Sequence, residues 1–254
     1  MIINIFNTFI FTPLYNGLVF LIDIVPYADV GAAVIILTVI VKIFLFPLAH
    51  KVAHMQVKMK ELAPKLEELK EKYKEDKQKQ TLKIMALYRE HDVRPFLSIL
   101  VVFIQLPIIL GLYWVFFKGG LPDIQLDLLY SFVPNPTAIN MNFLGLIDMG
   151  GRSIILALLA GGTQFIHSYY ALPKPKPRGE NPSLKEDLAH SFHLQMKYVM
   201  PIIVVVISYT ISAAIALYWL TSNLFAIGQE LIVRRRLEHN KEASVTKDYE
   251  SGSN

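Results

Sequence analysis

Long apolar runs alternate along the chain with stretches of dense charge, and the lengths of the apolar runs match a membrane. Residues 30–48 form a 19-residue run whose only charge is Lys42, close to the roughly 20 residues that cross a bilayer core. Residues 96–117 carry no charge and place a kink-forming proline at Pro107. Residues 153–171 form a third run in which Ala160, Gly161 and Gly162 permit close helix contact. The fourth apolar region, residues 200–229, is uncharged for 30 residues, too long for one upright span and short for two full ones.

Charge placement resolves the fourth region. Of the 25 Lys and Arg, 22 lie in residues 49–95, 172–197 and 234–254. The positive-inside rule places all three segments in the cytoplasm. Residues 198–233 must then leave and return to the same side, which predicts two short spans, 198–211 and 215–233, with a turn near Ser212. The reading is an all-α integral membrane protein with a five-helix core: spans at 30–48, 96–117, 152–171, 198–211 and 215–233. Residues 118–151 form an outer loop and residues 172–197 a cytoplasmic one. Residues 1–29 hold no Lys or Arg, unlike a cleaved secretory leader. They are read as a retained, outer interfacial helix rather than a sixth span, since nothing basic would hold that end inside.

Within residues 49–95 the period changes. Val52, Met55, Met59, Leu62, Leu66, Leu69 and Tyr73 recur at alternating spacings of three and four, an a/d seam. After the polar turn at residues 75–80, Leu82, Met85 and Tyr88 share one helical face. This predicts a cytoplasmic antiparallel coiled-coil hairpin, with Pro64 kinking its first arm. Residues 241–254 are polar and read as a disordered tail.

Composition narrows the function. Hydrophobic residues make up 53% of the chain and mean hydropathy is +0.40, unsuited to a soluble globule. The absence of cysteine removes disulfides, thiolate metal sites and a cysteine nucleophile. His50 with His54, and His190 with His193, could each offer two metal ligands, but neither pair has a nearby acidic third. No nucleotide-binding or hydrolase motif is present, and no cofactor or catalytic residue is predicted.

Lys42 is the chemical anomaly. A charge near mid-span costs about 2.5 to 3.5 kcal/mol on insertion scales and normally faces water or protein. Snorkelling is the ordinary alternative, but six residues, about 9 Å of helix, separate Lys42 from the end of its run. Other spans place Thr38, Gln105, Gln164, Ser208, Tyr209, Thr210, Tyr218, Ser222 and Asn223 at comparable depth. Each alone is ordinary helix-to-helix glue; together they could line one water-filled groove. A channel or proton-coupled transporter could use the same residues, although no intramembrane carboxylate partners the lysine.

Several blocks in order resemble the YidC/Oxa-type membrane protein insertases: LTVIVKIFLFPL, MKELAPKLEELKEKYKED, RPFLSILVVFIQLPIILGLYWVF, FLGLIDM, QMKYVMPIIVVVIS and ALYWLTSNLFAIGQE. The resemblance runs over residues 30–236 and implies a compact bacterial form without a large extracytoplasmic domain. It implies a hydrophilic groove open to cytoplasm and lipid, in which Lys42 stands where the family usually has arginine. Thr38, Gln164, Tyr218 and Trp219 match groove-lining positions. It further implies nascent membrane proteins as passengers, a multi-pass bacterial plasma-membrane location and a cytoplasmic C-terminus. A ribosome and a Sec translocon are candidate partners, and the chain is read as a monomer. Two departures stand out: lysine lacks arginine's planar fork, and ISAAIALYW lacks the proline and glycine usual at the last turn.

The basic segments have ordinary uses as well. Twelve Lys and Arg against eight acids in residues 51–94 suit a solvated hairpin face. Arg234, Arg235, Arg236 and Lys241 suit contact with anionic lipid or docking to ribosomal phosphate.

Overall fold

The computed structural model describes residues 2–94, 97–117, 119, 121–171 and 190–251. It is mostly helical and divides into two units, Met1–Phe44 with Gln105–Gly228, and Leu45–Ile104 with Gln229–Asn254. Helices α1 (Ile2–Phe6), α2 (Thr12–Ile24), α3 (Val30–Lys72), α4 (Lys77–Glu90), α5 (Leu97–Phe117), α6 (Ile154–Ala171), α7 (Met200–Ile211) and α8 (Ala213–Ser251) follow one another. Among the described residues, Ile3–Ile24, Val30–Leu48 and His190–Ile211 are long and apolar enough to cross a membrane, and Gln105–Phe117 is a shorter apolar helix.

The first unit is built around α2. A π-helical turn, Asn7–Phe11, joins it to α1. Tyr15, Leu18, Val19 and Ile22 are fully buried, and their spacing of three or four is that of one helix face. Beside them, Tyr15 donates its hydroxyl proton to the Gly119 carbonyl at 3.1 Å and accepts the Gln125 amide at 2.9 Å. Asn16 donates to the Leu128 carbonyl at 2.8 Å and accepts the Tyr130 amide at 2.6 Å. The middle of α2 is therefore bonded to the loop that follows α5, satisfying backbone groups that regular structure leaves open.

Backbone hydrogen bonds gather the helix starts at that same end. Val30 donates to the Asn140 carbonyl and Asn140 donates to Ala28, each at 3.0 Å. Asp29 caps α3 by accepting the Ala32 amide at 3.1 Å, while its other oxygen accepts the Leu144 amide at 3.0 Å. A two-stranded hairpin, β1 (Asn142–Phe143) and β2 (Ile147–Asp148), pairs antiparallel between them. The predicted turn near Ser212 is a single extended residue between α7 and α8. The proline and glycine missing there are not needed: Ala213 donates to the Gly151 carbonyl at 2.8 Å and Ala214 to Met149 at 3.1 Å. Two orphan amides of the α8 start thus find loop carbonyls.

Of the three small residues in α6, Ala160 is fully buried and Gly161 lies against α7. A Cβ on Gly161 would stand 2.2 Å from Val205 Cγ2, whereas one on Gly162 would meet nothing within 4 Å. The opposite faces of α6 and α7 expose Ile155, Leu158, Ile202 and Val206, an apolar exterior suited to lipid.

In the second unit, the residue 45–72 part of α3 runs through Pro64 as helix and packs against α4. Asp76 caps α4 by accepting the Lys79 amide at 2.9 Å. Leu62, Leu66 and Val93 are buried there, with Met59, Ile84, Leu87 and Tyr88 against them. The face expected on the second arm is corrected by this arrangement. Leu82 and Met85 are 70% and 50% exposed, and Ile84 and Leu87 take their place. The cause is the return loop: the Val93 amide bonds the Tyr88 carbonyl at 2.8 Å, folding Val93 over the 84/87/88 face. Helix α8 continues to Ser251. No glycine or proline interrupts residues 229–251.

Candidate functional site

Lys42 sits on α3 four residues after Thr38, so both share a face. Its ammonium donates to Gln105 Oε1 of α5 at 3.4 Å. The Gln105 amide nitrogen in turn donates to the Tyr218 hydroxyl of α8, and Ser222, one turn further along α8, is a second hydrogen-bond partner of Tyr218. Three separate helices thereby contribute to one polar chain in which lysine donates to an amide oxygen and the amide passes the polarity inward to a phenol. Tyr218 and Ser222 are buried; Lys42 and Gln105 are half-buried.

A second polar group lies on α6 and the same α8. Asn223 donates to the Ala160 carbonyl at 3.3 Å and to Thr163 Oγ1 at 3.4 Å. Gln164 donates to Ser168 Oγ at 3.4 Å. Thr163 and Ser168 were not singled out from sequence. The signal for them is positional: residues 163, 164, 167 and 168 are all polar and recur at helical spacing within an apolar run. Because Tyr218, Ser222 and Asn223 share one helix, α8 carries a residue to each group.

The remaining expectations fall in different places. Thr38 is buried and spends its hydroxyl on the Val34 carbonyl at 2.6 Å in its own helix. Trp219 is half-buried beside Tyr218. Ser208 is fully buried, and its hydroxyl has no hydrogen-bond partner among the described residues. Tyr209 and Thr210 stand on the exposed side of α7, Thr210 bonding back to Val206 and Ile207. Arg235 is exposed on α8. The side chains of Arg234, Arg236 and Lys241 lie outside the described residues.

Burying lysine, amide and phenol among apolar helices is worthwhile only if each keeps a partner. Gln105 partners both Lys42 and Tyr218, and neither of the two bonded pairs is an ion pair. The hydrogen-bond partner described for the lysine is therefore a neutral amide rather than a carboxylate.

The fold and this site define a mostly helical membrane protein whose apolar helices hold a lysine-centred polar chain. The family model described as 60Kd inner membrane protein matches residues 20–241, and the chain belongs to that family. A membrane protein insertase YidC of Clostridium tetani is 32% identical over 210 residues, covering 83% of this chain and 84% of that protein. One of Fusobacterium nucleatum is 31% identical over 231 residues, 90% of this chain and 98% of that protein. A longer YidC, from Wolinella succinogenes, is 29% identical over 217 residues, which are 85% of this chain but 36% of its own length.

Proposed function

We infer that this chain is a membrane protein insertase of the bacterial plasma membrane. It receives the hydrophilic segment of a nascent membrane protein beside Lys42 and releases the apolar segment into lipid. The observation that carries this reading is the Lys42 ammonium, bonded to a neutral amide at 3.4 Å within a helix of spanning length and apolarity. A polar segment entering a dry bilayer loses its water, and a polar lining lowers that cost. An ammonium whose described partner is a neutral amide favours acidic passengers in particular. No chemical bond is made or broken in this cycle, so catalytic residues are not required. The likeness to YidC membrane protein insertases favours insertion over the channel or proton-coupled transporter reading.

The topology proposed with this function has five spans and a cytoplasmic C-terminus. The Ile3–Ile24 helix, although long enough to cross, lies along the outer end of the first unit. The bonds from Tyr15 and Asn16 to residues 119–130 support this placement. A spanning helix would carry its middle to mid-membrane, away from the loop that follows α5. The protein works as a monomer, with a coiled-coil hairpin in residues 49–95. The basic stretch Arg234, Arg235, Arg236 and Lys241 meets ribosomal phosphate, and a Sec translocon is a second partner.

The test is rescue of bacteria depleted of their own insertase, at matched membrane levels, with a single-span reporter bearing an acidic N-terminal tail. Wild type and Lys42→Arg are expected to restore insertion, with Lys42→Met and Lys42→Glu at least tenfold lower. Equal rescue by all four would remove the charge from the mechanism. Replacing the four tail cations by Gln is expected to weaken binding to translating ribosomes at physiological salt while leaving reporter insertion less affected than Lys42→Glu does.

A further inference from the structure

The β1–β2 hairpin is small, but its tip has a composition that its geometry does not ask for. Leu144 and Gly145 both have positive φ, 53° and 72°, within the three-residue loop 144–146 between the paired Phe143 and Ile147. A leucine occupies the first of these left-handed positions, where L-residues other than Asn, Asp or Gly are disfavoured. It is not there to fill a core: Leu144 is 72% exposed and Leu146 84%. A Cβ on Gly145 would also meet nothing within 4 Å.

The hairpin's depth is fixed by its neighbours in the same unit. The Leu144 amide is bonded to Asp29, the residue that caps α3. The Phe143 ring lies so close to Gly31 that a Cβ there would stand 2.3 Å from it. The tip is thus level with the first turn of the Val30–Leu48 helix, whose apolar run starts at Val30. The chain continues from the hairpin into α6, where Ile154 and Ile155 are exposed on its first turn. The exposed leucines precede that apolar first turn by no more than ten residues. Residues 128–147 contain no charged side chain, and the one carboxylate of the hairpin, the exposed Asp148, stands at its base beside Asn142 rather than at the tip.

We propose that the Leu144–Leu146 turn is a shallow lipid anchor, inserting two leucines among the upper acyl chains of the leaflet at the end where α3, α6 and α8 begin. The proposal rests on the membrane reading of the helices, and its occupant is the bilayer rather than a protein. Asp29 ties the anchor to the start of the helix that carries Lys42.

The chain has no cysteine, so single-site labelling needs no prior change. Leu144→Cys, Leu146→Cys, Asp123→Cys in the exposed loop and Leu158→Cys on the exposed face of α6 would each carry an environment-sensitive fluorophore. The full chain would be placed in vesicles of phosphatidylethanolamine and phosphatidylglycerol. Labels at 144 and 146 are expected to be quenched several-fold more by a nitroxide at acyl carbon 5 than the label at 123. They should also resist aqueous iodide. Quenching equal to that at 123 would place the tip in water and overturn the anchor. Protection from iodide without nitroxide quenching would mean that protein covers the tip, and would overturn it equally. The label at 158 separates the two readings, because its failure to meet acyl nitroxide would sink the membrane reading itself. Leu144→Asn, which suits the left-handed turn, should keep the melting temperature in detergent while reducing acyl quenching of the label at 146.

Discussion

The two units of this chain are held together by different means. In the first, 21 buried apolar residues form one core, and interhelical and loop bonds place individual polar groups at defined positions. In the second, three buried residues, Leu62, Leu66 and Val93, anchor the contact between two arms whose other faces are charged. The contrast teaches where specificity resides. The first unit is sensitive to single atoms at a helix crossing or a cap; the second depends on a few apolar side chains and tolerates change elsewhere.

The sharpest way to break that contrast is at the α6–α7 crossing. Gly161→Leu forces a side chain into the space held by Val205 and the Pro201 carbonyl, and is expected to cost about 3 kcal/mol. It should show as loss of folded protein in membranes and a large fall in melting temperature. In the second unit, Leu66→Ala should cost about 2 kcal/mol. Its effect should be confined to faster hydrogen exchange in residues 59–93, with first-unit amides unchanged. Asp29→Asn keeps the size of the cap but weakens its bonds to the Ala32 and Leu144 amides. We expect about 1 kcal/mol, seen as increased exchange at residues 140–144. Smallest of all, Leu82→Ser on the exposed side of α4 should change stability by less than about 0.5 kcal/mol. A large effect there would restore the face that the sequence suggested.

That last residue shows where sequence reasoning stops. Leu82, Met85 and Tyr88 and the alternative Ile84, Leu87 and Tyr88 both satisfy helical spacing, and only the folding back of Val93 decides between them. The site was more legible. An isolated lysine in an apolar run is conspicuous, and Gln105 and Tyr218 are polar groups at similar depth that proved to be joined to it. Thr163 and Ser168 were less conspicuous because short hydroxyls inside a helix are usually absorbed by their own backbone, as Thr38 and Thr210 are. The closure of the first unit was illegible for a different reason. The carbonyls of Asn140, Met149 and Gly151 do that work, and a backbone carbonyl has no signature in a sequence.

Those carbonyls also impose an order in time. A chain emerges from its N-terminus and structure forms as it appears. Ala28 and Val30 exist before Asn140 arrives to pair with them, and the loop so placed then holds Met149 and Gly151 ready before Ala213 and Ala214 are made. Each late segment docks on a template already in place. The helix that brings Tyr218, Ser222 and Asn223 is synthesised after those that carry Lys42, Gln105 and Thr163, so the polar site is completed only once α8 has emerged.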